Sequence, residues 1–567
     1  MIDPITLKVI QNALVSVVDT MAQIIVRSAR SSVIRENMDF STALMDGDGL
    51  QVAQGATLPV HLGAMEPALG AILARYRGDI HPGDVFANND PYEGASHLPD
   101  VFLFKPFFDG DRILAWTGAI GHQTDIGGRV PGGNACDNTE IYQEGLRLPP
   151  VRLIERGKRV DALWRIIEKN VRVSEMVLGD LQSQVQALEA GERELKKAVE
   201  EHGAATLAAY MKAIQDYTER ATRAEIAALP KGEWSFTDTI DDDGFSPEPI
   251  YIKATIRVTD EIHVDFSGTS GVAKGSINPN FAFTKSCVYA ALRCLMDPEL
   301  QVNSGFFRPF RVTAPEGCFV NPKAPAPVAA RGLGGLRVTQ VILGAMAQAL
   351  PGRIPAAWGG GEAALSFSGL DERGKPFIFV EFNNDGPRGG GPAQDGEDGV
   401  NAPIANLANT PIEALEAAHP LRVLRYGFVP DSEGAGAFRG GMGVVREFEI
   451  LGEEATLQVR SDRVKFGPWA LAGGQSGSRT RNLLDGRPTL PAKFMRLFKK
   501  GEVYTLVQAG GGGYGPPLER DPERVAVDVR EGKISLERAR DVYGVVLDPG
   551  TLVLHPEATA KLRLASV

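Results

Sequence analysis

Two neighbouring segments decide the organisation of this chain: NNDPYEGASHLPDVFLF at residues 88–104 and GAIGHQTD at residues 118–125. His97 and Asp100 follow a loop rich in turn-forming residues, and His122 comes just after the apolar run ILAWTGAI. A strand return that brings two imidazoles and a carboxylate together would offer ligands to a divalent transition metal. The spacing alone is a weak signal, because most isolated histidines are surface residues or hydrogen-bonded core residues.

Strand signals surround these segments. The runs VFLFKPFF and RILAWTGAIG are joined by Asp109-Gly110-Asp111, which indicates a β-hairpin. Upstream, FSTALMDGDGLQVAQG predicts another hairpin, because DGDG supplies residues that tolerate positive φ. Asp39 then lies at the mouth of a strand. It could add a fourth ligand and leave a coordination position open for water, or it could serve only as a strand-end hydrogen-bonding partner.

Composition excludes several classes of function. The chain has 567 residues, a formal net charge of -11 and 43% hydrophobic residues, so it lacks the basic excess of a nucleic-acid-binding surface. No uncharged apolar run reaches the roughly 18 residues of a membrane span. The N-terminal sequence MIDPITLKVIQNAL also lacks the unbroken apolar core of a signal peptide. We therefore expect a cytoplasmic protein that binds neither membranes nor nucleic acids.

Periodicity predicts an α+β chain in four parts. Residues 1–160 form an N-terminal mixed α/β region that carries the candidate metal site, and residues 161–230 are predicted to form a central helical hairpin. Alternation from Gly232 onward predicts a mixed β/α region over residues 231–350. Short strands and glycine turns then indicate a β-rich half over residues 351–567.

No nucleotide-binding or serine-hydrolase motif is visible. AGGGGYGPP, residues 509–517, lacks the lysine and the following helix of a Walker A loop, and a tight turn after a strand is the favoured interpretation. No G-x-S-x-G elbow is present. RGLGGLR, residues 331–337, places two arginines around flexible backbone, and an anion site is one alternative there. GGGPAQDGEDGVN, residues 389–401, is compatible with an active-site loop or a solvated turn.

Several motifs together resemble one family, hydantoinase B/5-oxoprolinase, in the same order and over essentially the whole chain. They are IDPITL (2–7), RENMDFSTALMD (35–46), NDPYEGASHLPD (89–100), GHQTDIGG (121–128), EGLRLPP (144–150), NTPIEALEAAHPLRVLRYGFVPDSEGAGAFRGGMG (409–443) and GGGGYGPPLERDPERVAVDV (510–529).

The resemblance implies a metal-binding B-type subunit. The ligands of the family fall at positions that match Asp39, His97, Asp100 and His122. Zinc, iron and manganese all occur among relatives, and a shell of two imidazoles and two carboxylates tolerates each of them. The partner is expected to be a hydantoinase A-type ATPase subunit that binds ATP. A hetero-oligomer follows, in agreement with the missing nucleotide motif.

The implied activity is ATP-dependent hydrolysis of a cyclic amide C–N bond. The partner phosphorylates the carbonyl oxygen, and a metal-bound water then attacks the activated carbon and opens the ring. Asp125 is a candidate acid or base behind the metal ligands, or merely a loop residue that caps a turn. Glu144 and Arg147 are candidates for lining the substrate pocket, where Arg147 would suit an anionic group.

Two other functions remain open from the sequence. The chain could be a subunit of an acetone or acetophenone carboxylase, although such subunits tend to be larger, or it could be a non-catalytic scaffold for the ATPase partner. The sequence also leaves the substrate open among hydantoins, 5-oxoproline and larger lactams.

Overall fold

The computed structural model describes residues 2–55, 57–61, 63–360, 363–383, 386–402 and 404–565. Within these ranges the helices are α1 (Pro4–Ser28), α2 (Ser32–Arg35), α3 (Met65–Arg75), α4 (Asp161–Asn170), α5 (Ser174–His202), α6 (Ala204–Ala228), α7 (Phe281–Arg293), α8 (Ser304–Phe307), α9 (Gly332–Ala349), α10 (Ile412–Ala418), α11 (Pro522–Arg530), α12 (Leu536–Asp541) and α13 (Pro556–Ala565).

The strands make up four sheets. They are β1 (Phe40–Asp46), β2 (Gln51–Gln54), β3 (Val85–Asn88), β4 (Asp100–Asp109), β5 (Arg112–His122), β6 (Val151–Glu155), β7 (Lys158–Arg159), β8 (Gly232–Ile240), β9 (Ile250–Val258), β10 (Ile262–Asp265), β11 (Phe310–Thr313), β12 (Ala363–Leu370), β13 (Pro376–Asn383), β14 (Leu421–Phe428), β15 (Val444–Ile450), β16 (Glu454–Arg460), β17 (Arg481–Leu484), β18 (Arg487–Leu490), β19 (Lys493–Lys499) and β20 (Val503–Val507).

The first sheet has seven strands in the order β2-β1-β5-β4-β3-β6-β7, and all of its neighbouring strands pair antiparallel. Both predicted hairpins, β1–β2 and β4–β5, are present in it. Short turns with glycine at positive φ connect them, and Gly49 and Gly110 take this conformation. The predicted α+β class is confirmed, with helices packed on separate sheets that are antiparallel except for the parallel pair β10 and β11.

Helix α1 packs on this sheet together with α5. Asp3 caps α1 by accepting a hydrogen bond from the Thr6 backbone N–H, and Pro4 opens its first turn. By length and composition α1 is apolar enough to cross a membrane, the only such helix in the described part of the chain. Its inward side chains at helical spacing nevertheless lie in the core of this fold: Ile10, Leu14, Val17, Val18, Met21 and Ile25.

The region predicted as a helical hairpin contains three helices. The short α4 precedes α5 and α6, and Gly203 at positive φ separates these two long helices. Helix α5 buries its face against α1 and the strands β4 and β5. The helical segment is therefore part of the core that supports the first sheet.

The remaining sheets follow the helical segment. Strands β11-β10-β9-β8 form a four-stranded sheet against α9, and the C-terminal half contributes the sheets β13-β12-β16-β19 and β14-β15-β20-β17-β18. Residues 332–337 do not form a flexible loop, because they are the first turns of α9.

The glycine-rich segment after β20 is a packing feature. A Cβ atom on Gly510 would overlap the Ser432 carbonyl, and one on Gly512 would overlap the Trp469 carbonyl. These glycines let several backbone segments approach each other directly. The preference for a structural turn over a phosphate loop agrees with this close packing.

Candidate metal centre

Three neighbouring strands have termini at the same end of the first sheet, and each carries a polar side chain there. Asp100 opens β4 and pairs with His122 at the end of β5, while Asp39 directly precedes β1. The His122 backbone N–H donates to the Asp39 carbonyl at 3.1 Å. The antiparallel register therefore places two carboxylates and one imidazole side by side.

His97 reaches the same end of the sheet from the loop before β4. The Asp100 backbone N–H donates to the His97 carbonyl at 3.1 Å, which closes a turn and leaves the two side chains together. Nε2 of His97 lies 3.2 Å from Oδ1 of Asp100. The ring centroids of His97 and His122 are 5.1 Å apart.

A fifth side chain, His61, was not predicted from the sequence. It ends a short helical turn after β2, and its Nε2 lies 3.7 Å from Oδ2 of Asp100. The structure forms two overlapping groups of candidate ligand atoms, each within 4.8 Å: His97, Asp100 and His122, and Asp39, His61 and Asp100. The only sequence signal for His61 is a histidine flanked by apolar residues, which more often marks the core.

The hydrogen bonds of the cluster leave suitable atoms for a metal. The Nδ1–H of His97 donates to the Ala329 carbonyl at 2.9 Å, so that Nε2 keeps its lone pair. Nδ1 of His61 contacts the Ser41 hydroxyl at 2.9 Å in a similar way. Three buried atoms have no hydrogen-bond partner within the described structure: Nε2 of His97, Oδ1 of Asp100 and Nδ1 of His122. Burying such polar atoms costs folding free energy unless a bound ligand contacts them.

The protonation states also suit a cation. Burial lowers the pKa of His61 and of His97 to about 4 and brings that of His122 well below its usual range. Burial by itself would raise the pKa of Asp100, but the permanent charge of the neighbouring Arg331 helps to bring it well below the usual range. The imidazoles are therefore neutral and the carboxylate ionised at neutral pH. This donor set fits zinc, iron(II) or manganese(II).

A small cavity adjoins the cluster. Its volume is about 40 Å³, enough for about three water molecules, and its lining includes Asp39 and all three histidines of the cluster. Two arginines, Arg331 and Arg460, complete its polar lining. Apolar groups close the rest and restrict access of bulk water: Leu58, Val60, Phe283, Leu336, Phe382, Ile404, Ala405 and Leu407.

A larger open pocket of about 830 Å³ lies outside this cavity. Ala405 and Leu407 line both spaces, so that this short segment forms the wall between them. The end of the glycine-rich loop, residues 399–401, lines the open pocket, while residues 389–398 do not. Residues 399–401 of the loop are therefore next to the candidate site.

The three residues predicted to act in catalysis are not among those that line the cavity. Asp125 accepts hydrogen bonds from the backbone N–H groups of Arg172 and Gly132, and its Oδ1 lies 3.1 Å from Arg172 Nη1. Arg147 pairs with Asp90, at 2.6 Å between Nη2 and Oδ2. Both side chains are held by partners that are distant in sequence, and the structure therefore shows structural contacts for them.

Glu144 is connected to the cluster through the backbone of Ala329, which contacts His97. Its Oε1 accepts from the backbone N–H groups of Val328 and Ala329 at 2.6 and 2.9 Å. Burial raises the pKa of Glu144 to about 8. Because the Ala329 carbonyl holds His97, Glu144 helps to position that ligand and does not face the cavity.

The chain belongs to the hydantoinase B/oxoprolinase family, whose model matches residues 3–517. The family resemblance seen in the sequence is thereby confirmed, and some of the relatives are named as subunits.

Individual relatives match along almost their full length. The B-type subunit of a putative D-/L-hydantoinase from Pseudomonas sp. (strain NS671) is 33% identical over 99% of this chain and 98% of its own length. The beta subunit of the caprolactamase of Pseudomonas jessenii is 33% identical over 100% and 99%, respectively.

Two solved structures share the fold. A crystal structure of the ATP-dependent caprolactamase from Pseudomonas jessenii has a TM-score of 0.93 at 31% identity and covers both chains completely. A nucleotide-free acetone carboxylase has a TM-score of 0.89 at 19% identity, over 100% of this chain and 83% of that one. The second likeness concerns the fold alone.

Proposed function

We propose that this chain is the metal-dependent subunit of a two-component, ATP-dependent hydrolase of cyclic amides. The observation that carries the proposal is a cluster of five buried ligand-type side chains, Asp39, His61, His97, Asp100 and His122, of which all except Asp100 line one small cavity. Relatives named as hydantoinase and caprolactamase subunits support the substrate class.

These five residues would hold the divalent ion. When bound, the ion supplies Lewis acidity that makes water a stronger nucleophile near neutral pH. The chain's own contribution is to fix the ligands: Ala329 and Ser41 orient two imidazoles, and Ser96 donates a hydrogen bond to Asp100. Apolar walls around the cavity exclude bulk water, which strengthens the electrostatic interactions inside.

The reaction needs an activated substrate. An amide carbon is a poor electrophile, and transfer of the γ-phosphoryl group of ATP to the carbonyl oxygen corrects this. Water oxygen then adds to that carbon, the C–N bond breaks, and its electron pair stays on the ring nitrogen, which takes a proton. This leaves an acyl phosphate, and a second water breaks its bond to the phosphoryl group, giving the carboxylate and inorganic phosphate. We assign ATP to a partner of the hydantoinase A type, because no nucleotide motif is present in this sequence.

The open pocket is the proposed entrance for the substrate. A volume of about 830 Å³ lies within the usual range for small-molecule sites, whereas the cavity of about 40 Å³ at the cluster is too small for a whole ring. The segment of Ala405 and Leu407 must therefore yield for the activated carbon to reach the cluster. Leu407→Ala would widen this passage, and we expect it to raise the turnover of larger lactams relative to smaller ones.

The central experiment is co-expression with an A-type partner, metal analysis of the complex, and a screen of cyclic amides for ATP-dependent ring opening. We expect stoichiometric divalent metal and amide-dependent ATP hydrolysis. A complex without metal that still opens rings would contradict the metal assignment. Bicarbonate-dependent ATP turnover with ketones would instead support a carboxylase role, and an A-type partner that opens rings by itself would support a scaffold.

A further inference from the structure

Two arginines stand beside the ligand cluster without a role in the function proposed so far. Arg331 directly precedes α9, and Arg460 ends β16. Both line the small cavity, and only 6% and 3% of their surfaces are exposed. They reach the cavity from elements far apart in sequence.

Both side chains are held by aromatic rings. The guanidinium of Arg331 lies 4.1 Å from the centre of the Phe283 ring, and its Nη2 donates to Oδ2 of Asp100. Gly335 packs directly on Phe283, where a Cβ would overlap the ring. The guanidinium of Arg460 lies 5.6 Å from the centre of the Phe382 ring. These contacts restrict where each guanidinium can point.

The positive charge of these two guanidinium groups weakens the binding of a metal cation beside them. A guanidinium stays charged at all physiological pH values, and like charges a few ångströms apart repel strongly in a buried site. The ion pair of Arg331 with Asp100 keeps that carboxylate ionised, but a second buried guanidinium adds positive charge that an anion beside the metal would balance.

We propose that Arg331 and Arg460 form a subsite for a phosphoryl group beside the metal centre. Guanidinium forks match the oxygen atoms of phosphate in geometry and charge. The first turn of α9 adds to this, because Gly332 also lines the cavity and a helix N-terminus favours an anion. A space of a few water molecules suits a phosphoryl group better than a whole cyclic amide.

This inference rests on the proposed function and makes it more specific. The subsite holds the phosphoryl group of the substrate that the partner has activated, and it retains inorganic phosphate after ring opening. The guanidinium groups thereby orient the activated carbon toward the cluster. An unphosphorylated amide lacks these contacts and is expected to escape turnover.

The test is binding of inorganic phosphate to the full chain loaded with manganese. Titration calorimetry gives the affinity, and paramagnetic relaxation of the ³¹P signal reports whether phosphorus lies next to the metal. We expect saturable binding with enhanced relaxation, and an affinity reduced about tenfold or more in Arg460→Gln. Arg460→Lys retains the charge and restores part of the affinity. Arg422→Gln, at an exposed arginine of β14 that lines neither the cavity nor the open pocket, is the matched control and leaves it unchanged.

Metal content and thermal unfolding of each variant show whether it is folded and loaded. If Arg460→Gln does not fold, Arg331→Lys and the relaxation of ³¹P in the unchanged protein still decide the question. Absence of enhanced relaxation, or equal affinity in Arg460→Gln and the unchanged chain, would overturn the subsite. Ring opening by the complex is scored separately, so that loss of the subsite and loss of the proposed function give different results.

Discussion

Two buried polar clusters in this protein contrast in how their charges are satisfied. Around Asp238 on β8, Arg463 and Arg337 lie 3.0 and 3.5 Å away, and Arg337 also pairs with Asp462 at 2.8 Å. Opposite charges meet directly there. The cluster around Asp100 also contains an ion pair, between Asp100 and Arg331, but it leaves imidazole and carboxylate atoms without hydrogen-bond partners and borders a cavity. The contrast separates a network that joins parts of the fold from a site prepared for a ligand.

Removal of a ligand from the Asp100 cluster is expected to have the largest effect. His97→Ala should reduce ATP-dependent ring opening by the complex at least about 100-fold, because changes merely behind the ligands already cost 10–100-fold. Bound metal should fall in parallel, as measured by elemental analysis. His81→Ala, at a histidine of the surface, is the control. Full activity in His97→Ala would show that the Asp100 cluster is not required for ring opening.

Opening the Asp238 network should affect stability. Asp238→Ala leaves two buried arginines without their common partner, which typically costs about 3–5 kcal/mol. Urea unfolding measures this loss. Glu233→Ala on the same strand removes an exposed pair with Arg257 and should cost less than about 1 kcal/mol. If metal content fell together with stability in folded Asp238→Ala, the two clusters would not be independent.

Metal removal should destabilise only a protein whose ligand cluster is intact. At a free metal concentration about 100 times the dissociation constant, binding stabilises the folded state by about 2.7 kcal/mol. Chelation should remove this contribution, and calorimetric unfolding of loaded and stripped protein measures it. The same treatment should leave the unfolding of His97→Ala unchanged. A chelation effect of equal size in that variant would place the stabilising ion elsewhere.

The smallest expected effect is a pH dependence of stability at the ionic network. Burial and the nearby charge of Asp462 raise the pKa of Asp241 to about 6, against the opposing charge of Lys493. Between about pH 4 and 6 the folded state thus keeps a proton that the unfolded state has lost, so stability falls as pH rises through this window. The change is on the order of 1–3 kcal/mol. In Asp241→Asn the unfolding midpoint should no longer fall with rising pH in this window. An unchanged pH dependence would assign the effect to another group.

Much of the first sheet could be predicted because its signals are local. Alternating residues and the turns at residues 46–49 and 109–111 indicated both hairpins, and the β4–β5 hairpin brought Asp100 and His122 together. Asp39 joins them through the pairing of β1 with β5, which are distant in sequence. The family resemblance supplied the same ligand positions. The start of α9 was missed, because glycines at residues 332, 334 and 335 suggested a loop, while their tight packing on Phe283 and Pro279 is a tertiary property.

The sequence by itself determined the family, the strand hairpins and four of the five side chains that the structure brings together. Only the tertiary structure decided which polar residues face the cavity. It brought in His61, Arg331 and Arg460, and it held Asp125, Glu144 and Arg147 away from the lining. The physical reason is that local turns fix backbone register, whereas the direction and hydrogen bonding of a buried side chain depend on partners hundreds of residues away. His97 and Ala329, 232 residues apart, are an example.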